Sequence, residues 1–284
     1  LANPVAAPRW RFREPNVLPG FRLALGFTLI YVSFILLIPL AALVARPWEN
    51  GLDGFIATLL DERVLKALRL TFSVSFMAAA MNVVMGLVIT WALVRYDFPG
   101  RGILDAMVDL PFALPTAVAG IALTSIYAPN GWVGGLFSPL GIKIAYTPIG
   151  IWIAMVFVGL PFIVRTVQPV LQEFDAEVEE AATMLGARPL QRIRRVILPA
   201  LWPAVITAFS LAFARAVGEY GSVIFIAGNM PYKTEIAPLL IVTKLEQFDY
   251  AGAASVGLAM LILSFTIILL VNIIQLLLSR RGLK

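Results

Sequence analysis

Two charge-free runs constrain this chain more than any other feature. Leu23 to Ala45 carries no Asp, Glu, Lys or Arg over 23 residues, and Leu70 to Val94 carries none over 25. As helices rising 1.5 Å per residue, both are long enough to cross the roughly 30 Å hydrocarbon core of a bilayer. No water is available there, so each backbone N–H and C=O needs a partner within its own segment, which the α-helix supplies. Comparable apolar segments follow over Ile103 to Tyr127, Ile144 to Val164, Ala200 to Ile226 and Tyr250 to Leu278. Six crossings and an all-α, polytopic membrane fold are therefore expected.

Composition agrees and removes several alternatives. The 284 residues are 60% hydrophobic and only 14% charged, with a mean hydropathy of +0.88, which leaves no room for a second sizeable soluble domain. The chain holds no Cys and no His, which excludes thiol catalysis, disulfides, Cys/His zinc sites and imidazole acid–base chemistry. No Gly-Lys dipeptide occurs, so the phosphate-binding loop G-x-x-x-x-G-K-[ST] is absent and any ATP would be hydrolysed by another chain. A net charge of +5 reflects bases in short loops rather than a nucleic-acid surface.

Those bases orient the chain. Fourteen Lys and Arg residues fall in the amino tail, the turn after the second span, the loop after the fourth and the carboxyl tail, against seven in the three opposite loops. The positive-inside rule places both termini and the fourth-to-fifth loop in the cytoplasm. Residues 1–22 read as a cytoplasmic tail, 23–45 as the first span, and 66–278 as the core containing a loop at 174–199. Residues 46–69 read as an external loop with a short interfacial helix. In the third span Pro111 and Pro115, one turn apart, are expected to break the helix within Leu110 to Gly120.

The loop after the fourth span, from Asp175 to Pro199, is the longest charged stretch between two apolar ones. Phe174, Val178, Ala181, Ala182 and Leu185 recur at steps of three and four, which predicts a short amphipathic helix. Asp175 stands at its N-cap and Glu177, Glu179 and Glu180 in its first turns, where the helix dipole favours negative charge. Gly186 follows the last periodic residue and Pro189 can open a second helix.

Glu180-Ala181-Ala182, three residues, Gly186, nine residues and Val196-Ile197-Leu198-Pro199 together resemble the EAA loop of permease subunits of bacterial ATP-binding-cassette (ABC) importers. That resemblance implies the type I importer permease fold, with this loop as a cytoplasmic coupling helix docked on an ATPase. It implies coupling roles for Glu179, Glu180, Ala181, Ala182, Leu185, Gly186 and Arg188. A charged loop without a partner and a DNA-reading helix-turn-helix are the alternatives, and the flanking spans oppose the second.

Arg215 and Glu219, four residues apart inside the fifth apolar run, are either a structural ion pair or part of an ion path, since charge at membrane depth is costly. Asn82, inside the second run, is either an interhelical contact or a path residue. The segment Ala214 to Asn229, continued by Glu235 to Leu240 and Lys244 to Tyr250, is similar to sulfate and molybdate permeases, most closely the T-type subunit of sulfate and thiosulfate importers. The resemblance implies a divalent oxyanion as substrate, and the polar groups Asn82, Thr116, Arg215, Glu219, Tyr220 and Ser222 are the candidates for lining its path.

It further implies a second, W-type permease subunit, two ATPase subunits carrying ATP and magnesium, a periplasmic binding protein, and residence in the bacterial inner membrane. No cofactor or metal would be bound by this chain itself, and neither nucleic acid nor catalysis is expected of it. A secondary anion carrier and an intramembrane enzyme are the rival classes; the second lacks catalytic groups.

Overall fold

The computed structural model describes residues 20–281, all helix, turn or irregular chain with no strand among them. The described residues divide into two compact units, one ending at Ala45 and the other beginning at Arg46. In the first, α1 (Phe21–Val32) passes through a wide π-turn (Ser33–Leu37) into α2 (Ile38–Ala45), and neither the turn nor α2 has a buried residue. Most of the expected amino tail lies outside the described residues.

The second unit begins with a tight turn (Arg46–Asn50) and α3 (Gly51–Leu60). Asp61 then caps the 34-residue α4 (Glu62–Arg95), its carboxylate accepting the Arg63 backbone N–H at 2.7 Å. This corrects the loop expected over 46–69. Glu62, Arg63, Lys66 and Arg69 are helical, because the Asp61 cap starts α4 early. The Glu62–Lys66 pair (2.7 Å) and the bidentate Arg63–Glu235 pair (2.7 Å on both arms) then support the charged first turns.

The third crossing is broken as the prolines require. It comprises α5 (Arg101–Val108), α6 (Leu110–Ala113) and α7 (Thr116–Tyr127), with Leu114 and Pro115 extended at ψ 133°. After α8 (Gly134–Phe137), α9 (Pro148–Gln172) carries the fourth span well past its expected end at Val164. Two short helices follow, α10 (Ala176–Met184) and α11 (Pro189–Arg192), then a π-turn (Ile193–Ile197) and α12 (Leu198–Val217). The fifth span is not continuous to Ile226. It stops at Val217, and α13 (Val223–Ile226) resumes after an irregular segment. Neither this break nor α14 (Ala237–Glu246) is anticipated by periodicity; α15 (Tyr250–Arg281) closes the fold.

Among the described residues five helical stretches are long and apolar enough to cross a membrane, and α7, in the broken α5–α7 segment, is a shorter apolar helix. The core is the packing of α4, α9 and α12. Small residues let these backbones approach: Ala78, Ala79, Ala154, Ala208 and Ala212 are almost fully buried. Gly86 has the Ile163 side chain where its own Cβ would stand, at 2.6 Å.

Candidate functional site

Two regions gather the residues singled out from sequence. The first is the α10–α11 hairpin. Asp175 caps α10 by accepting the Glu177 N–H at 2.9 Å. At the other end Gly186 adopts φ 81°, and its N–H donates to Thr183 O (2.9 Å) while Ala187 N–H donates to Ala182 O (3.0 Å). That pair of bonds is a Schellman closure, which a residue with a Cβ reaches only under strain. Pro189 opens α11, where Gln191 Oε1 accepts the Arg188 N–H at 2.8 Å. Arg192 Nη1 donates to Thr183 Oγ1 at 2.8 Å and so fastens the second short helix to the first.

The hairpin leaves apolar groups bare. Met184 is 90% and Leu185 89% exposed, with Ala181 and Val178 exposed on the same helix and Phe174 packed inward against the core. Met184, Leu185 and Val178 thus leave bare apolar surface on a charged hairpin. Glu180 is exposed beside them, whereas Glu179 turns inward and accepts from Arg95 Nη2 at the end of α4.

The second region is the irregular segment between α12 and α13. Glu219, expected on the same helix face as Arg215, lies beyond the helix end, yet the two still pair at 2.5 Å. The Glu219 carboxylate is buried and its Oε1 accepts both the Ser222 backbone N–H (2.9 Å) and the Ser222 hydroxyl (2.8 Å). An unwound turn at membrane depth leaves backbone donors without helical partners, and here a carboxylate supplies one acceptor. The start of α7 seats on this segment: the Thr116 hydroxyl presses against Gly221, and Gly120 lies on the Ser222 backbone. Tyr220 is half-buried against the core cluster that includes Val74, Ala78 and Met155.

Thr116, Arg215, Glu219, Tyr220 and Ser222 thus share one site where two helix breaks meet. The Arg215 side chain keeps 33% of its surface exposed, and among the described residues only Glu219 takes a hydrogen bond or ion pair from it. Its remaining N–H groups stay open as donors, and the paired carboxylate offsets the charge locally. Asn82 stands elsewhere, 1% exposed in the helix core beside Gly159, with both amide atoms lacking a hydrogen-bond partner.

A further polar device was not expected from the sequence. Arg165 forks onto Asp109 (2.7 and 2.6 Å) and Asp105 (2.7 Å), with Gln168 accepting at 2.8 Å, and so holds the broken third crossing against α9. The signal available was an Asp pair four residues apart near a helix break and an unassigned Arg at the end of an apolar run.

The chain belongs to the family of binding-protein-dependent transport system inner membrane components, which its residues 82–283 match. It is 49% identical over 248 residues to the sulfate transport system permease protein CysT of Synechocystis sp., covering 87% of each chain. It is 46% identical over 266 residues to CysT of Salmonella typhimurium, covering 94% of this chain and 96% of that one. In fold it is similar to a chain of a bacterial ABC transporter importing alginate, with a TM-score of 0.75, 16% identity, and 90% and 94% of the two chains covered. A chain of the MetNI methionine ABC transporter matches with a TM-score of 0.57 and 18% identity over 75% and 94% of the chains. The relatives are transport permeases, and this chain is a transport subunit, not an enzyme.

Proposed function

We propose that the chain is one of two permease subunits of an ATP-driven importer of sulfate and thiosulfate, forming half of the anion path and coupling it to separate ATPase subunits. The substrate follows from relatives named sulfate transport permeases at 46–49% identity. The coupling role rests on one observation: the α10–α11 hairpin displays Met184 and Leu185 almost fully exposed beside the Gly186 closure of α10.

In this reading both termini and the hairpin face the cytoplasm of the bacterial cell, across the inner membrane from a periplasmic binding protein. Two ATPase subunits carry ATP and magnesium and grip one hairpin from each permease subunit. Closure of the ATPase pair on ATP favours the arrangement it binds more tightly, and that differential affinity drives the alternation of access. A bare divalent anion cannot enter hydrocarbon, so it passes the helix breaks, where Arg215, Thr116 and unwound backbone offer donors without a closed cage.

The test is uptake of radiolabelled sulfate into vesicles holding the four-subunit complex with its binding protein. ATP-dependent uptake, with the ATPase copurifying, supports the proposal. Uptake that continues without ATP identifies a secondary carrier, and preferential competition by molybdate assigns another oxyanion.

A further inference from the structure

At the end of α4 one side chain bonds to the hairpin. Arg95 Nη2 donates to Glu179 Oε1 across 84 positions of sequence, and among the described residues no other hydrogen bond or ion pair joins α10 to α4. The Arg95 guanidinium also lies over the Trp91 ring, 5.5 Å from its centroid, and its Nε is buried without a partner. Both charged side chains are largely shielded, 24% and 19% exposed. A planar cation held on an aromatic face loses little further freedom when it forms its ion pair.

The placement matters because along the chain α10 joins α9 on one side and, through α11 and the Ile193–Ile197 turn, α12 on the other. Both joints are bends, at the Asp175 cap and at Gly186 with φ 81°. Force applied to a helix hung on two bends turns it about them. The third core helix, α4, packs on α9 and α12 and receives that force through them, and the Arg95–Glu179 pair adds a direct link from α10 to α4.

We propose that Arg95 is a positioning residue that fastens the hairpin to α4, so that its displacement moves all three core helices as one body. The inference rests on the importer reading of the hairpin. It also gives two adjacent acids different roles, with Glu179 held within the chain and Glu180 left outward for the partner.

The experiment compares ATP hydrolysed per sulfate imported in vesicles containing the complete complex. R95Q is expected to retain the bound ATPase and to raise that ratio by about tenfold, the size of a typical coupling free energy. E179Q should raise it similarly. R95K should recover part of the coupling, as a point charge without the fork, and the exchanged pair R95E/E179R should recover most of it.

A wild-type ratio in either glutamine variant overturns the proposal, as does an exchanged pair no better than its single parents. Loss of the ATPase from the R95Q complex also overturns it, because Arg95 would then act on docking. Should the single variants fail to fold, the absence of native Cys permits R95C/E179C joined by a reducible thiol-specific spacer. Tight coupling while joined and loss on reduction in the same vesicles is the expected result; an unchanged ratio refutes the tether. A wild-type complex that imports no sulfate with ATP is a different failure, that of the importer reading itself.

Discussion

Replacing Gly120 by alanine tests how closely the two helix breaks are locked. A Cβ at this position would stand 2.5 Å from Ser222 O, 2.8 Å from its Cα and 3.0 Å from its carbonyl carbon, all backbone atoms. Ordinary contact begins near 3.4 Å, so α7 must retreat from the Gly218–Ser222 segment by close to 1 Å. No side chain can swing aside to absorb this. The same segment carries the Ser222 N–H bond to buried Glu219, so the retreat also strains an acceptor that has no substitute. Overpacking of this kind costs about 2 kcal/mol, and each kcal/mol lowers the melting midpoint of a chain this size by roughly 2–4 °C.

G120A should therefore lower the thermal midpoint of the purified complex by roughly 4–8 °C and reduce sulfate uptake further than ATPase binding. The control is G102A, in α5, where a Cβ meets nothing within 4 Å. Thermal size-exclusion analysis of the two variants decides the matter. If G120A melts with G102A and transports normally, the α7 contact is not a fixed seat and the reasoning fails.

At Gly186 the surroundings are open, so a substitution meets only the cost of φ 81°. G186N should remain near wild type, while G186V, at more than about 1–2 kcal/mol of backbone strain, should hydrolyse ATP without matching uptake; normal uptake by G186V removes the docking role. Replacing Arg215 by alanine should cut sulfate uptake by roughly tenfold or more with the complex still assembled, and R215K should retain part of it. Loss of assembly in place of uptake would make the Arg215–Glu219 pair structural. The Asp249 carboxyl is held below the usual carboxylate range by the Lys244 ammonium at 2.8 Å, helped by the Gly252 N–H at 2.9 Å and opposed by burial. Its contribution to stability is complete above the unfolded-state value near 3.9 and is lost as pH falls through the lower folded value. K244Q should therefore lower the midpoint at neutral pH and leave a shallower loss on acidification; an acid limb identical to wild type would count against this linkage.

Much of this architecture can be read from local order along the chain. Spans show as charge-free runs because the bilayer penalises unpaired charge residue by residue, and the break in the third crossing shows because Pro111 and Pro115 each remove a donor. The hairpin is equally local: the Asp175 cap, the Gly186 closure and the Pro189 start involve partners within five residues. Even the paired charge at Arg215 and Glu219 is visible, since a cation and an acid four apart in an apolar run attract attention whatever the fold.

What the order of residues alone could not decide was how distant partners meet. The Arg63–Glu235 fork joins positions 172 apart, Arg165 reaches Asp105 and Asp109 across 60 and 56, and Arg95 finds Glu179 across 84. Each is a surface-like charge in isolation and acquires a role only when packed helices bring its counterpart within reach. The break after Val217 belongs with these, because it depends on Glu219 accepting from Ser222 and on α7 seating against the unwound turn. Sequence by itself determined which segments enter the membrane and where a rigid hairpin leaves it, since those rest on near-neighbour hydrogen bonding and transfer energy. Tertiary structure decided which acid is tied inward, which faces outward and how the two helix breaks meet around Arg215 and Glu219, since those depend on contacts between helices that the chain order keeps far apart.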